Sequence, residues 1–503
     1  MQLLASYLHG TWSNGSGSRT PLVNPATEEV IAEVMSGGHD LAAAFRHARM
    51  AGERELAALS FAQRGALLGA LSKAIHGARE ELIALAVANG GNTRGDAKFD
   101  IDGGALTLSY YAELGAKLGT VQLLGDGEPL QVGRTARMAG QHVWARRRGV
   151  AIHINAFNFP AWGFAEKAAL ALLAGMPVLS KPATSSAMVA HRVMQIIVEK
   201  KLLPEGALSF LVGAARDLVA HLGPQDVLAF TGSGDTGEKI RSAPNVIRHS
   251  VRVNVEADSL NAALLGPDVE PRSDMYEVFL KDVVRDMTQK AGQKCTAIRR
   301  VLVPQEWYTS VKQDLAELLG QVRVGDPRFE DTRMGPLASG AQLADVREGV
   351  ARLGGRHAFG SPAPLGRKGF FINPILVEDA SDAVHEREVF GPVAALLRYK
   401  DNPAEIVARG HGGLVSSVYS DDQEFIEGTV AALAPYHGRL FLGHPKIELS
   451  PGPGTVLPQL VHGGPGRAGG GEELGGLRGL SFYMQRTALE GSRPVIQKLL
   501  GKT

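Results

Sequence analysis

Cysteine is almost absent from this chain: Cys295 is the single one among 503 residues. One cysteine excludes an intramolecular disulfide framework and a zinc site built from several thiolates. We therefore expect a reducing, cytoplasmic compartment. The N-terminus lacks the basic stretch and long apolar run of a signal peptide, and no 18 uncharged apolar residues run together. These absences predict a protein that is neither exported nor inserted into a membrane.

A net charge is also missing, since 53 Lys and Arg residues oppose 52 Asp and Glu residues. Because the protein has no strong overall electrostatic field, neither nucleic acid nor an anionic membrane is an expected partner, which leaves a small-molecule substrate. The densest basic run, Arg146 to Arg148, is interpreted as a solvated face. The length is too great for one ordinary core and predicts two or three domains. Glycine is plentiful, at 61 residues, which favours tight turns and close backbone approaches to a ligand.

The middle of the chain alternates short apolar runs with amphipathic stretches. Predicted strands cover residues 150–154, 176–180, 208–212 and 226–231, and predicted helices cover 163–173, 185–200 and 215–222. Such alternation is typical of a parallel sheet covered on both faces, which is a doubly wound α/β domain. A second alternating region, from residue 259 to about 432, predicts a second α/β domain.

Two flanking regions differ from the middle of the chain in amino-acid composition and spacing. Residues 40–88 are rich in Ala and Leu at helical spacing, and Ser60 with Gln63 predicts a capping box at the start of a helix. Residues 452–476 are rich in Gly and Pro but also contain Arg467, Glu472 and Glu473. We interpret the second segment as an ordered loop at a site.

The sequence GSGDTG at 232–237 follows a predicted strand and opens a predicted helix, so it satisfies the G-x-G-x-x-G spacing. Taken literally, it predicts a simple Rossmann dehydrogenase, with Glu256 about 20 residues further on as the ribose-binding carboxylate. Three predicted strands precede the motif, however, whereas the fingerprint normally follows the first strand. A purely structural glycine turn therefore stays open as an alternative.

Cys295 lies in the sequence AGQKCTA. A lone cysteine is commonly a small buried hydrophobe, yet Gly, Gln, Lys and Thr form a polar setting in which a thiol can reach a ligand. A papain-like signature such as C-G-S-C-W and the G-x-S-x-G turn of α/β-hydrolases are both absent. Cys295 is therefore a candidate nucleophile, and its chemistry needs no metal.

Several short motifs occur in an order that resembles the aldehyde dehydrogenase family, and they span nearly the whole chain. They are NPATEEV (24–30), AFNFP (156–160), LSKPAT (179–184), FTGS (230–233), Glu256, GQKC (292–295), RMGPL (333–337) and EVFGP (388–392). The resemblance implies an α/β fold with two doubly wound Rossmann-like domains and a small β oligomerisation element. Residues 1–137 and 150–258 would form the dinucleotide-binding domain, 259–477 the catalytic domain, and 138–149 with 478–503 the oligomerisation element of a dimer.

The resemblance also implies a mechanism. Cys295 would attack the aldehyde carbon, and the side-chain amide of Asn158 with the backbone N–H of Cys295 would form an oxyanion hole. Hydride transfer to the nicotinamide would leave a thioester on Cys295. Glu256 would be the general base for its hydrolysis to a carboxylic acid. Lys167 matches a family lysine for which we expect a scaffold role.

Cofactor-binding positions carry over from the family in the same way. They are Phe157, Lys181, Thr184, Gly213, Gly232, Ser233, Glu388 and Phe390. NAD-preferring members often place a carboxylate three residues after the lysine, where this chain has Thr184. Without that carboxylate a 2′-phosphate can lie between an ammonium and a hydroxyl, which favours NADP over NAD.

Two departures from the common pattern narrow the substrate. EADSLN (256–261) replaces the usual Leu-Gly-Gly after the glutamate, and the glycine-rich segment 462–478 is longer than usual. Both resemble a branch that oxidises acyl-CoA semialdehydes in phenylacetate or benzoate degradation. Bifunctional members add a hydratase-like domain, which we do not expect within these 503 residues.

Alternatives stay open. A general or a CoA-acylating aldehyde dehydrogenase is one, although enzymes of the second kind commonly lack the glutamate base. A nonenzymatic relative is another, although Cys295, Glu256 and Asn158 are all retained. Arg299, Arg300 and the run 146–148 are candidate contacts for CoA phosphates, but a structural role is the favoured interpretation.

Overall fold

The structure is a computed structural model that describes residues 2–214, 217–447 and 451–501. Its strands, β1 to β22 in chain order, are Gln2–Leu4, Ser6–Leu8, Thr11–Ser13, Ser16–Val23, Val30–Gly37, Leu124–Gln131, Met138–Arg146, Ala151–Ile154, Val178–Lys181, Leu208–Phe210, Val227–Thr231, Arg252–Glu256, Ala262–Leu265, Arg300–Pro304, Arg356–Phe359, Ile375–Glu378, Val393–Tyr399, Gly413–Tyr419, His437–Gly443, Val461–Gly464, Gly471–Leu474 and Met484–Ser492. Its α-helices, α1 to α16, are Leu41–His47, Glu53–Ala57, Phe61–Gly77, Arg79–Gly90, Arg94–Leu118, Trp162–Ala174, Ala187–Glu199, Gly234–Arg241, Pro244–His249, Asp274–Thr288, Tyr308–Gly320, Gly340–Leu353, Pro403–Ala408, Gln423–Leu433, Leu480–Tyr483 and Arg493–Leu499.

The predicted helical region near the N-terminus divides into four α-helices, α1 to α4, with a π-helical turn at Ala48–Gly52. The predicted capping box is present at the start of α3: the Ser60 hydroxyl accepts from the Gln63 backbone N–H, and the Gln63 side chain accepts from the Ser60 N–H. Two donors that a helix start leaves unpaired are thereby satisfied. Buried side chains of α3, α5 and α6, such as Leu68, Leu108 and Leu172, join one hydrophobic core.

The first large sheet has seven strands in the order β12-β11-β8-β9-β10-β2-β3. Its strands β12 to β10 are parallel, whereas β2 and β3 pair antiparallel at one edge. All four strands predicted between residues 150 and 231 lie in this sheet. The glycine-rich turn connects β11 to α8, as predicted. This sheet is the doubly wound domain expected from the sequence.

The helix predicted at 215–222 is wrong. Leu218–His221 forms only a short 3₁₀ turn, and residues 215 and 216 lie outside the described residues. The Asn245 side chain donates to the carbonyls of Val219 and Leu222, and Arg49 donates to the carbonyl of His221. Because side chains distant in the sequence satisfy these carbonyls, the segment does not need helical backbone bonds.

The second large sheet also has seven strands, in the order β15-β16-β17-β14-β13-β18-β19. All neighbours are parallel except the edge strand β15. The second α/β domain is therefore present, and β19 extends it beyond residue 432, where we expected the alternation to end. Its buried core includes Phe279, Val301 and Leu396.

A third sheet of three antiparallel strands has the order β22-β7-β6. Its long register runs from Met484 opposite Arg146 to Ser492 opposite Met138, so the two segments assigned to the oligomerisation element pair with each other. Strand β6 joins them from the range allotted to the dinucleotide-binding domain. No helix among the described residues is long and apolar enough to cross a membrane.

The basic run beside β7 is not a uniformly solvated face. Arg147 is buried and donates to the carbonyls of Pro224 and Gln225, while Arg146 pairs with Glu53. Only Arg148 is largely exposed. These partners fix the third sheet against the first domain, which makes the role of the run structural.

Candidate active site

Glu256 is the last residue of β12, and its partner in the register is Thr231, the last residue of β11. The Thr231 hydroxyl donates to Glu256 Oε2 at 3.3 Å, and only 3% of the Glu256 surface is exposed. Ligands of doubly wound domains bind outside the carboxyl ends of parallel strands, and both residues lie at that edge.

Cys295 follows α10 after a backbone segment of unusual conformation. Lys290, Ala291 and Gly292 have φ angles of 53°, 52° and 68°. A left-handed residue other than glycine costs about 1–2 kcal/mol. Gly292 also passes under the EVFGP segment, where a Cβ atom would lie 2.2 Å from the carbonyl oxygen of Gly391. The turn before the cysteine is therefore shaped by contact with residues much later in the chain.

The segment EADSLN, which departs from the family pattern, holds this turn from the other side. Asn261 Nδ2 donates to the carbonyls of Cys295 and Ala297 at 2.8 and 2.9 Å. The Ser259 hydroxyl donates to Asn261 Oδ1, and this contact fixes the orientation of the Asn261 amide. The departure thus links the strand that ends at Glu256 directly to the cysteine segment.

His462 contacts both candidate catalytic residues. Its Nε2 atom lies 3.7 Å from Cys295 Sγ and 3.0 Å from Glu256 Oε1. His462 lies on β20, which pairs with β21 as a hairpin inside the segment 452–476. The interpretation of that segment as an ordered loop at a site is confirmed, although the histidine itself was not predicted.

The three groups perturb one another's ionisation. Burial, together with the Glu256 carboxylate, raises the pKa of the Cys295 thiol well above its ordinary value. Burial also opposes ionisation of Glu256, but the His462 ring outweighs burial and leaves the pKa of Glu256 at about 2. Burial lowers the pKa of His462, but Glu256 more than offsets this and leaves that pKa raised. The geometry therefore favours a carboxylate beside an imidazolium.

Lys167 forms a second buried cluster behind Glu256. Its Nζ atom lies 2.9 Å from Glu166 Oε1 and 2.9 Å from Glu473 Oε2, and Asn254 Nδ2 donates to Glu473 Oε1 at 3.1 Å. Burial lowers the pKa of Lys167, but the two carboxylates outweigh it and hold the pKa well above the ordinary value. These contacts agree with the scaffold role expected for Lys167.

A narrow pocket leads to the cysteine. Its polar end contains Asn158, Glu256, Cys295 and His462, and its remaining walls are largely apolar. The aromatic side chains among those walls are Phe99, Phe159 and Trp162, which pack edge to face. Asn158, predicted as an oxyanion donor, therefore lies in the same pocket as the predicted nucleophile. A small aldehyde group on an apolar chain would fit this lining.

A larger cleft of about 790 Å³ meets the pocket at Asn158, Glu256 and Cys295. Six of the eight predicted cofactor residues line it: Phe157, Lys181, Gly232, Ser233, Glu388 and Phe390. Lys181 is half-buried, and burial lowers the pKa of its ammonium. The rings of Phe157 and Phe390 stand edge to face, 5.8 Å apart. A cleft of this volume is of the size that binds cofactors.

Thr184 and Gly213 are not among the lining residues. Thr184 starts a 3₁₀ turn, Thr184–Ser186, just beyond Ala183, which does line the cleft. Gly213 packs against Ser36: a Cβ atom there would lie 2.4 Å from the Ser36 hydroxyl oxygen. The glycine is thus explained by its left-handed backbone, with a φ of 83°, and by the close Ser36 side chain.

Glu388 lies at the cleft wall but has protein partners. It accepts from the Arg299 side chain at 3.0 Å and from the Ser259 N–H at 3.0 Å. Arg300 is buried and donates to the carbonyls of Leu260 and Val407. Both arginines are therefore bound inside the protein, and the suggested contact of Arg299 and Arg300 with CoA phosphates is wrong.

Two Rossmann-like sheets, a third small sheet and a cysteine beside a glutamate at the meeting of pocket and cleft define an aldehyde dehydrogenase. The chain belongs to the aldehyde dehydrogenase family, whose model matches residues 12–488. It is 42% identical over 477 residues to 3,4-dehydroadipyl-CoA semialdehyde dehydrogenase of Aromatoleum evansii, covering 92% of this chain and 93% of that protein. It is 28% identical over 488 residues to aminoaldehyde dehydrogenase 2 of Zea mays, covering 93% and 92%.

A solved structure has the same fold. Betaine aldehyde dehydrogenase of Staphylococcus aureus in complex with NAD+ superimposes with a TM-score of 0.86 at 22% identity, covering 97% of this chain and 95% of that one. The predicted family and the predicted fold class are both confirmed.

Proposed function

We propose that this aldehyde dehydrogenase oxidises a CoA-linked semialdehyde of aromatic-compound degradation to the carboxylic acid, with NADP as the preferred cofactor. The observation that carries the proposal is the position of Cys295, where an apolar pocket meets a cofactor-sized cleft next to Glu256. Oxidation of an aldehyde needs this arrangement, because the carbon under attack has to face the thiol and the hydride acceptor at the same time.

The residues of the pocket support a covalent route. The Cys295 thiolate attacks the aldehyde carbon, and the side-chain amide of Asn158 with the backbone N–H of Cys295 stabilises the oxyanion, by about 3 kcal/mol for each donor. A nicotinamide cofactor held in the cleft by residues such as Phe157, Lys181 and Glu388 would supply the hydride acceptor for this oxidation. Cys295 then carries a thioester. Glu256 takes a proton from the water that hydrolyses it, which regenerates the thiol.

The cofactor preference rests on the LSKPAT segment. Lys181 lines the cleft, and its ammonium is a donor for a phosphate. Position 184, adjacent to the lining residue Ala183, holds a threonine in place of the carboxylate that would repel a 2′-phosphate. This combination favours NADP, and NAD is the alternative.

The substrate class is supported by the relative from Aromatoleum evansii, whose substrate is a CoA-linked semialdehyde. The EADSLN and glycine-rich segments, which set this branch apart, both contact the catalytic residues. A pathway of phenylacetate or benzoate degradation fits this class. Glu256 at the pocket favours hydrolysis over transfer of the acyl group to CoA.

A homodimer is the assembly we propose, built on the sheet β22-β7-β6, whose outer strands leave edges for a partner. Sedimentation of the pure protein as a monomer at working concentration would contradict it. A cytoplasmic location, which the single cysteine favours, is part of the same proposal.

One experiment tests the activity. Initial rates are measured with a panel of free semialdehydes and their CoA-linked counterparts, each with NAD and with NADP. We expect the highest kcat/KM for a CoA-linked semialdehyde with NADP and release of a free acid. Preference for a free aldehyde would contradict the substrate class, and release of an acyl-CoA formed from added CoA would contradict hydrolysis.

A further inference from the structure

We propose that His462, as an imidazolium, is the cation that stabilises the Cys295 thiolate beside Glu256. The inference deepens the proposed function and rests on it, because it concerns the nucleophile of that reaction. It makes His462 a catalytic residue in addition to Cys295, Glu256 and Asn158.

One nitrogen atom makes both contacts. His462 Nε2 lies 3.0 Å from Glu256 Oε1 and 3.7 Å from Cys295 Sγ. A ring nitrogen without a hydrogen would point its lone pair at the carboxylate oxygen, and the two would repel each other. The 3.0 Å contact therefore places a hydrogen on Nε2. Cys295 Sγ therefore lies 3.7 Å from the same hydrogen-bearing nitrogen atom. All three side chains line the pocket, where such contacts are stronger than in water.

The nucleophile needs a cation at this position. A thiolate on Cys295 would be a second anion next to the Glu256 carboxylate, and two like charges in one pocket repel. Burial and Glu256 both raise the pKa of the thiol. If His462 is neutral, the Cys295 thiolate and the Glu256 carboxylate give the three groups a net charge of two negative units. An imidazolium at His462 reduces this to one negative unit. The thiol proton leaves to water in the cleft.

The surroundings of His462 favour its charged form. Glu256 faces it directly, and the carboxyl groups of Glu166 and Glu473 also raise its pKa. Lys167 is an opposing charge in this region, and it is bound between Glu166 and Glu473. Arg439 is a further cation, and its charge interacts with Cys295. Around His462 itself, the carboxylates of Glu256, Glu166 and Glu473 outnumber the ammonium of Lys167.

A purely structural role for His462, as a hydrogen-bond donor that holds Glu256 in place, is the alternative. The two roles differ in one measurable property. A structural donor leaves the ionisation of Cys295 unchanged when an uncharged donor replaces it, whereas loss of the cation raises the pKa of the thiol.

The test is the rate of alkylation by iodoacetamide, an uncharged reagent, across the neutral and alkaline pH range. Cys295 is the single cysteine of the chain, so the reaction reports one thiol. In His462→Gln the amide retains a donor for Glu256 but no charge. We expect the half-maximal pH to rise by about one unit or more, and alkylation at neutral pH to slow about tenfold, since one pKa unit changes the thiolate fraction tenfold.

His437→Gln is the matched control. His437 is also a buried histidine of the second domain, but its ring contacts Ser416 and the carbonyl of Leu433. Its alkylation profile should equal that of the wild type. A folded His462→Gln protein with the same profile as His437→Gln would overturn the proposal.

If His462→Gln does not fold, ¹⁵N NMR of the wild-type histidine rings decides. The His462 signal is assigned by its response to Cys295 alkylation. An imidazolium spectrum at neutral pH supports the proposal, and a neutral ring overturns it. Alkylation and NMR use neither aldehyde nor cofactor, so they test the role of His462 independently of the substrate. A protein that gives the expected alkylation and NMR results but fails the substrate panel would refute the proposed function and leave the role of His462 standing.

Discussion

The guanidinium of Arg299 lies 3.0 Å from the carboxylate of Glu388, at the wall of the large cleft. Glu388, which was predicted to bind the cofactor, therefore already has a partner within the protein. Burial raises the pKa of Glu388 to about 7, even though Arg299 and the Ser259 N–H lower it. A carboxyl that is half-protonated at neutral pH has consequences for stability.

The first prediction concerns the pH dependence of unfolding. An unfolded glutamate has a pKa of about 4.3, so the folded state binds the proton of Glu388 more tightly. Its contribution to stability is complete below about pH 4.3 and is lost as the pH rises toward about 7. In Glu388→Gln the thermal midpoint should change less with pH across this range. The matched control, Glu386→Gln, alters an exposed residue of the same cleft and should give the same dependence of the midpoint on pH as the wild type.

Cys295→Ala should abolish aldehyde oxidation while cofactor binding survives, because the side chain is the proposed nucleophile but not a cofactor anchor. Oxidation is measured from formation of the reduced cofactor, and binding by calorimetry. Turnover retained in the variant would refute the covalent route.

Glu256→Gln should still give a burst of reduced cofactor but a slow steady state. The thioester forms normally, whereas its hydrolysis loses a general base and slows about 100-fold. Rapid mixing resolves the burst. Glu472→Gln, an exposed glutamate on the neighbouring hairpin, should behave as the wild type. Normal steady-state turnover without a burst would count against this role of Glu256.

Thr184→Glu should shift the cofactor preference. A carboxylate at this position would repel a 2′-phosphate and accept from a ribose hydroxyl, so kcat/KM with NADP should fall at least about tenfold relative to NAD. Thr184→Ser retains the hydroxyl and should retain the preference. An unchanged ratio in Thr184→Glu would show that position 184 does not meet the ribose.

Lys167→Met should lower the thermal midpoint strongly. It leaves two buried carboxylates, those of Glu166 and Glu473, without their cation, a loss of about 3–5 kcal/mol. Lys312→Met removes one of two cations that pair with Glu378; because Arg356 remains and the pair is partly exposed, the change should cost less than about 1 kcal/mol. Equal midpoints for the two variants would contradict the scaffold role.

The sequence predicted what is local. Four strands of the first sheet, β8 to β11, follow from neighbouring residues, as do the glycine-rich turn and the capping box of Ser60 with Gln63, and the structure contains all of them. Cys295 stood out because it lies in the family motif GQKC, and Glu256 because its place in the order of motifs matches the glutamate of the family. The structure brings both to one pocket.

His462 was missed for a physical reason. It is 167 positions from Cys295 and 206 from Glu256, and no local pattern carries information about such contacts. The turn at Leu218–His221 was mispredicted for the same reason, because Arg49 and Asn245 satisfy its carbonyls from distant segments. A polar, chemically active side chain in a glycine-rich segment was the one available signal for His462.

The close passage of Gly292 beneath Gly391 has a consequence for the order in which the protein matures. A nascent chain emerges from its N-terminus, and domains generally fold as units. The left-handed turn before Cys295 lacks its support until residues 388–392 have been synthesised and folded over it. The thiol therefore acquires its reactive geometry late, after the second domain closes. A chain truncated before residue 388 would therefore hold Cys295 outside the pocket that it shares with Glu256 and His462.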